Sequence, residues 1–486
     1  MKYVLPAGAR SENATRLALL GAGLFLGLAG PALAQERPAD DNAAPAVDSA
    51  KDAKDTPKPT GFWERDTLTG DWGGVRPWLE GTGIKLGAIE TSEVLANIQG
   101  GVKRGTIYEG RTELDLDLDL DKLAGWSGAL VHANAWQIHG RGLSGNYTGN
   151  LLTDSSIEAD RSWKLFDLYL DQTLFDGTVA IRIGQEGGDD EFIISTVAAL
   201  FINSTFGNPG LPGLDQPSGG PDYPLATPAV RVKLAPTDQL TLLAAAFNGD
   251  PAGPGKCDPQ LRDPSGTAFR TSDGVMGVLE AQYAVNQSKG ASGLPGTYKL
   301  GAWYNSERFA DQHFDQAGLS LADPRSSGVA RRHDGDWSVY ALADQMLWRR
   351  PDTDDQGLSL FVRVMGAPAD RNLTDLYVDG GFSFKGPFEG RDDDQVGLAA
   401  AYNRISNRAS RLDADLQSSL PGRPVRDDES LIELTYMAQI TPWWQLQPDL
   451  QYVVHPGGHA PLPSDPAQNR TIGNATVLGL RTTITF

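Results

Sequence analysis

The chain has 486 residues, 40% hydrophobic and 21% charged, and its 42 Lys and Arg against 62 Asp and Glu give a formal net charge of −20. So acidic a surface repels nucleic acid and anionic head groups, which excludes both as partners held by charge. The single cysteine, Cys257, excludes an intramolecular disulfide and reads as an inert loop thiol.

Lys2, Arg10 and Arg16 precede an apolar run over residues 17–29 that ends in Pro31-Ala-Leu-Ala34. This is the order of a secretory signal, with the cut expected between Ala34 and Gln35. The run is shorter than the roughly 20 apolar residues of a spanning helix. No later stretch does better, and the mean hydropathy is −0.32. Helical spans are therefore not expected, whereas barrel strands average out to ordinary hydropathy. Removal of the leader leaves 39 basic against 61 acidic residues. Residues 35–60 are mostly Ala, Pro, Asp and Lys and cannot bury a core, so they read as a disordered periplasmic tether. In residues 61–83, glycines at 73, 74 and 81 bracket one short helical turn around 75–80.

From residue 84 a period of two takes over. The stretch TELDLDLDLD (residues 112–121) sets Glu113, Asp115, Asp117, Asp119 and Asp121 against Leu114, Leu116, Leu118 and Leu120, a strand with one wet face and one dry face. Sixteen such segments follow one another: 84–97, 106–122, 128–139, 161–174, 178–185, 228–235, 239–248, 274–286, 297–306, 336–348, 357–366, 373–385, 395–405, 429–441, 444–454 and 474–486. The connections after the second, fourth, sixth and fourteenth are tight. Those after the third, fifth, seventh, ninth, thirteenth and fifteenth are long and rich in Gly, Pro, Asp and Ser, the longest spanning 186–227. Loop lengths sorted in this way, with an even strand count, predict a 16-stranded antiparallel transmembrane β-barrel over 84–486, with short periplasmic turns and long extracellular loops. The leucine face then meets lipid and the aspartate face lines a water-filled lumen. The final strand, TVLGLRTTITF, is amphipathic and stops on Phe486, which fits the insertion signal of bacterial barrels.

Several blocks go further: LTGDWGGVRPWLEGTGIKL (68–86), IHGRGLSGNYTGNL (138–151), IRIGQEGGDDEFIIST (181–196), ALFINSTFGNP (199–209), VDGGFSFKGPFEGRDDDQVGLAAAYNRIS (378–406) and ELTYMAQITPWWQLQPDLQYVVHPGG (433–458). In this order and over the whole chain beyond the tether they closely resemble the OprB-type carbohydrate-selective porins. The resemblance implies an outer-membrane barrel that lets glucose and similar small sugars diffuse into the periplasm without an energy source. It also implies that the segment around Trp72 precedes the first strand, and that the loop holding Asn203-Ser-Thr-Phe206 folds toward the pore and narrows it. The acidic tether and the HPGGH stretch (455–459) depart from the family pattern.

A sugar-preferring constriction needs hydrogen-bonding groups and an aromatic ring for the C–H face of the sugar. Parity assigns Arg111, Glu113 and Asp115 to the lumen on the second strand and His132, Asn134 and Trp136 on the third. On the fourth strand Phe166, Leu168 and Leu170 read as lipid-facing, which turns Asp167, Tyr169 and Asp171 inward. Arg182, then Lys299, Trp303 and Asn305, then Arg363 follow by the same rule. Opposed rows of arginine and acid across the lumen are expected to meet sugar hydroxyls. Arg111, Glu113, Trp136, Asp167, Tyr169, Arg182, Trp303 and Arg363 are thus the pore-lining, sugar-contacting candidates.

Carboxylates at alternate strand positions stand about 7 Å apart, too far for a Ca²⁺ site. His455 and His459 have i, i+4 spacing, but Pro-Gly-Gly between them forbids a helix, so a loop without a metal is expected. No Gly-x-Ser-x-Gly, His-Glu-x-x-His or paired-Cys motif occurs, nothing points to catalysis, and no cofactor is expected. Two alternatives remain: a general cation-preferring porin, and an exported soluble β-rich glycan-binding protein that would bury its leucine face. The residues leave open whether a barrel stands alone or as a homotrimer.

Overall fold

The two-residue period from residue 84 onward is realised as strands because each one buries or exposes a whole face at once, and a slip of one residue would reverse every side chain. The computed structural model describes residues 61–288 and 290–486. The expected leader and tether lie outside the described residues. Sixteen strands succeed one another: β1 (Ile84–Gly101), β2 (Gly105–Asp119), β3 (Ala129–Gly140), β4 (Ser162–Leu174), β5 (Val179–Glu186), β6 (Thr227–Leu234), β7 (Leu240–Asn248), β8 (Val275–Val285), β9 (Gly296–Asp315), β10 (Ala330–Arg349), β11 (Gly357–Gly366), β12 (Thr374–Lys385), β13 (Gln395–Ile405), β14 (Asp428–Thr441), β15 (Trp444–Val454) and β16 (Gly473–Thr485). Each pairs antiparallel with its neighbours in sequence, and β1 pairs with β16, so the sheet closes and no edge is left.

The leucine face points outward. Leu114, Ile183, Leu300, Val339, Leu398 and Leu480 are each more than 40% exposed on the outside of a closed sheet. A soluble module would have buried them, which removes that alternative. Exposed aromatic side chains form two belts: Tyr283, Tyr298 and Trp348 toward the short turns, and Tyr108, Trp163, Trp337, Tyr402 and Tyr452 toward the long loops. Trp337 and Trp348 on β10 are separated by about 35 Å of strand, which a tilt of ~40° shortens to about 27 Å, close to the ~25 Å apolar band of an outer-membrane barrel. Among the described residues no helix is long and apolar enough to cross a membrane.

Four strand ends differ from expectation by three residues or more, the first being that of β1, which runs to Gly101 and past the expected 97. β2 stops at Asp119, whose side chain accepts from the backbone of Asp121 (3.0 Å) and Lys122 (3.3 Å) and so caps helix α2 (Leu120–Ala124, after α1 at Val75–Thr82). The acidic ladder therefore ends inside the barrel at Asp117, and Asp119 and Asp121 belong to the turn. β9 runs on to Asp315 and β10 starts at Ala330, well past the expected 306 and 336. Outside the apolar band no lipid face is required, so the extension SERFADQHFD mixes polar residues with Phe309 on one face and Phe314 on the other and carries no hydropathy alternation to detect.

The segment before β1 crosses the seam between the first and last strands. Leu68 N–H donates to Thr485 O (2.8 Å), Phe486 N–H to Ala88 O (2.9 Å), and the Arg76 guanidinium to Phe486 O (2.8 Å). Gly83 ends α1 in the left-handed conformation, φ +102°, and a side chain there would meet Asp119 O at 2.9 Å.

Candidate functional site: the inner wall and its loop

Two long loops turn into the barrel. The connection 187–226 lies against the inner faces of β7 to β14, and it does so because those faces are apolar: Phe247, Met276, Trp303, Tyr340, Phe361 and Met365 point inward and are buried with Phe201, Phe206 and Leu211 of the loop. Polar groups fix its course. Arg363 of β11 is fully buried and donates to the carbonyls of Ile193 (3.0 Å), Thr205 (2.8 Å), Phe206 (3.1 Å) and Gly207 (3.0 Å), with Asp379 as its counter-ion. Glu433 accepts from the backbone N–H of Ile202 (2.6 Å) and Asn203 (3.0 Å), and the Asn203 amide donates to Gln451 (2.9 Å). Asp215, within the loop, accepts from the backbone of Leu373 (2.5 Å) and Thr374 (3.2 Å). Burial pushes its carboxyl up to about 7, against those hydrogen bonds.

The second loop, 141–161, folds in beside β1, β14 and β16. Leu151 and Leu152 N–H donate to Glu429, and Leu143 joins Leu95, Ile107 and Val477 in a small apolar cluster. Asp154 in this loop is pushed up to about 8, first by burial and next by the Glu158 charge.

The inner face of β2 to β6 is polar and keeps its contact with the lumen. Strand register sets its members opposite one another: Asp117 faces His132, which faces Tyr169, while Asp171 faces Arg182, which faces Arg231. His132 Nδ1 is 2.7 Å from Asp117, and its ring lies on Tyr169 at 5.0 Å. The Arg182 guanidinium sits 4.0 Å from the Tyr169 ring centre and donates to Asp171 (3.0 Å) and Glu186 (3.2 Å). Arg231 joins Asp171 (2.9 Å) to Glu191 (2.7 Å). Nearby, Arg111 donates to Glu113 (2.9 Å) and its guanidinium lies 4.8 Å from the Trp136 ring and 5.3 Å from Tyr223 of the long loop. The Asn134 amide donates to both Glu113 (2.9 Å) and Asp115 (2.7 Å). Side chains of Arg111, Glu113, Asp117, His132, Asp171 and Arg182 remain 14 to 29% exposed. The strip therefore offers fixed cationic donors beside carboxylate acceptors, already hydrogen-bonded to one another and still wet.

The eight residues singled out by parity all point inward, yet they divide. Arg111, Glu113, Tyr169 and Arg182 lie on the wet strip. Asp167 is 6% exposed and accepts from Gly187 N–H (3.2 Å). Trp136 is 5% exposed and stacked on Phe166 at 3.9 Å, so it offers no open face to a sugar. Trp303, 2% exposed, and Arg363, 0% exposed, lie beneath the long loop, where solute does not reach them. Phe166 itself is not lipid-facing. Between Ala133 and Ala135 the β3–β4 register shifts, and this bulge turns Phe166 and Asp167 inward together. The arginines and acids are also not opposed across the lumen but adjacent on one wall, because register pairs them strand to strand. Parity could have found Arg231, between the outward Val230 and Val232. Tyr223 and Glu191 come from the loop, and no local pattern places them.

The model of the family described as "Carbohydrate-selective porin, OprB family" matches residues 103–486. Porin B of Pseudomonas aeruginosa is 29% identical over 412 residues, covering 80% of this chain and 87% of that protein. The putative porin QuiX of Acinetobacter baylyi is 27% identical over 427 residues, covering 82% and 90%. Among solved structures, the high-pH structure of Pseudomonas putida OprB superposes with a TM-score of 0.78 at 24% identity, covering 88% of this chain and 100% of that one, which is a likeness of fold. A closed sixteen-stranded barrel and a family match over most of its length together establish an outer-membrane protein that belongs to the OprB family of carbohydrate-selective porins.

Proposed function

We propose that this sugar porin passes glucose and similar neutral monosaccharides by passive diffusion along the strip of Arg111, Glu113, Asp117, His132, Tyr169, Asp171 and Arg182. The observation that carries this reading is the burial contrast: the charged side chains of the strip are 14 to 29% exposed, while apolar inward residues of the other wall lie under the loop. Adjacent guanidinium and carboxylate groups can donate to and accept from neighbouring hydroxyls of one sugar ring. The Trp136 and Tyr169 rings are already covered by protein partners, so the strip selects by hydrogen bonding more than by stacking.

Single-channel conductance in a planar bilayer, with and without glucose and a disaccharide, tests it. Discrete steps should fall as sugar is added, and Arg111→Ala and Arg182→Ala should each need more sugar for half-block. Sugar-insensitive steps in the wild type would remove the reading. A cation preference is supported by Glu113, Asp115, Asp117 and Asp171 outnumbering Arg111 and Arg182 on the strip. Its measure is the reversal potential across a KCl gradient.

A further inference from the structure

His455 and His459 lie in the connection between β15 and β16, at the long-loop end. Without a helix their spacing is not expected to converge, but the backbone closes by another route. His455, Gly457, Gly458 and His459 all take positive φ, at +54°, +70°, +67° and +67°, and Gly458 N–H donates back to His455 O at 2.8 Å. This left-handed turn lays the two imidazoles face to face, with centres 3.5 Å apart and planes 29° from parallel. The segment leading into β14 then brings a carboxylate to them. Asp427 N–H donates to Gly458 O (3.1 Å), and Asp427 Oδ1 lies 2.6 Å from His459 Nδ1.

One donor atom from each of Asp427, His455 and His459 lies within 4.8 Å of the other two, and no other trio of this kind occurs among the described residues. His455 Nδ1 is buried and has no hydrogen-bond partner, with Asp428 Oδ2 no nearer than 3.6 Å. A buried imidazole nitrogen without a partner is costly unless something occupies it. Two non-glycine residues held in left-handed backbone are a further sign that the turn serves a local purpose.

We propose that Asp427, His455 and His459 form a binding site for a divalent transition metal of the zinc class. Two imidazoles and one carboxylate suit such an ion, with ligand distances of about 2.0–2.2 Å, whereas Ca²⁺ and Mg²⁺ prefer oxygen throughout. The Asp427 side chain is 56% exposed, so the ion enters from solvent, and a fourth position remains for water. Bound there, it takes the place of the proton between His459 and Asp427 and ties the β15–β16 connection to the start of β14 at the channel mouth.

The test uses the whole untagged protein, purified in detergent, stripped of metal and titrated with Co²⁺ followed by visible absorption, then with Zn²⁺ in competition. One saturating equivalent with a ligand-field band, displaced by Zn²⁺, is expected. His455→Ala, His459→Ala and Asp427→Asn should each weaken binding by about tenfold or more. His313→Ala, beside Asp415 at 2.7 Å, should leave it unchanged. Asp427→Asn alters an exposed side chain, and its sugar-sensitive conductance should match the wild type, which separates loss of metal from loss of fold. The proposal is overturned if the folded wild type shows no saturable band, or if the band survives in His455→Ala and His459→Ala.

Discussion

The inner wall of this barrel is two surfaces. From β2 to β6 many inward positions are charged and paired across strands, and those of the strip keep contact with the lumen. From β7 to β14 many inward positions are apolar, and the long loop covers them. A strand such as LTLLAAAFN is thus largely apolar on both faces, with lipid on one side and protein on the other, while GLSLFVRVMG sets inward Phe361 and Met365 on either side of Arg363. The difference teaches where the water is. In a porin, an inward Phe or Met marks the footprint of something packed inside the barrel, and the remaining polar arc is what a solute can meet.

The sharpest way to break this division is Arg363→Met. It leaves Asp379 buried without its counter-ion and four loop carbonyls without their donor, a loss of about 3–5 kcal/mol by the behaviour of buried pairs. The loop should detach, so conductance steps should become larger and noisier while sugar block fades; steps of wild-type size and quietness would show that the loop is held elsewhere. Phe206→Ala, at a fully buried position of the same loop, should cost about 3 kcal/mol locally. Hydrogen exchange across 199–207 should rise while the β2–β5 strands stay protected, and unaltered protection in the loop would contradict the account.

On the open side, Arg111→Ala removes one charge-assisted donor, worth about 1–2 kcal/mol. Half-block by glucose should move to roughly tenfold higher concentration, and the channel should become more cation-selective. No change in either would place the solute path away from this residue.

The smallest effect is with pH. Because burial raises Asp215 to about 7 and Asp154 to about 8, both hold a proton in the native loops that an unfolded chain releases near pH 4. Loop stability is therefore fully present below about pH 4 and declines as pH rises toward 7 and 8. Amide exchange in 187–226, corrected for intrinsic rate, should increase over that window, and Asp215→Asn should flatten the increase. A pH-independent profile would refute the buried-carboxyl explanation.

Much of the barrel is legible in the sequence because lipid imposes one rule on every strand: apolar out at every second residue. Where the rule lapses, reading fails for a physical reason. The extensions of β9 and β10 lie beyond the apolar band, and the face of β9 that is buried there carries Asp311, His313 and Asp315 beside Phe309, so no hydropathy alternation marks it. A bulge in β4 shifts parity by one and hides Phe166. For the site, parity is enough to say that Arg363 and Trp303 point inward, but not that a loop far earlier in the chain covers them, since that contact is non-local. The HPGGH turn fails similarly: helix spacing is the wrong template for imidazoles brought together by left-handed backbone.

β9 and β10 contain 20 residues each. At ~3.3 Å per residue they reach about 65 Å, or about 50 Å in height after tilt, twice the ~25 Å that the apolar band requires. The excess stands beyond the lipid on the extracellular side as a stiff paired ribbon, braced by His333 against Asp311 (3.0 Å) and by His313 against Asp415 (2.7 Å). Anything that approaches the barrel from outside meets this ribbon before it meets the wall along which sugars travel.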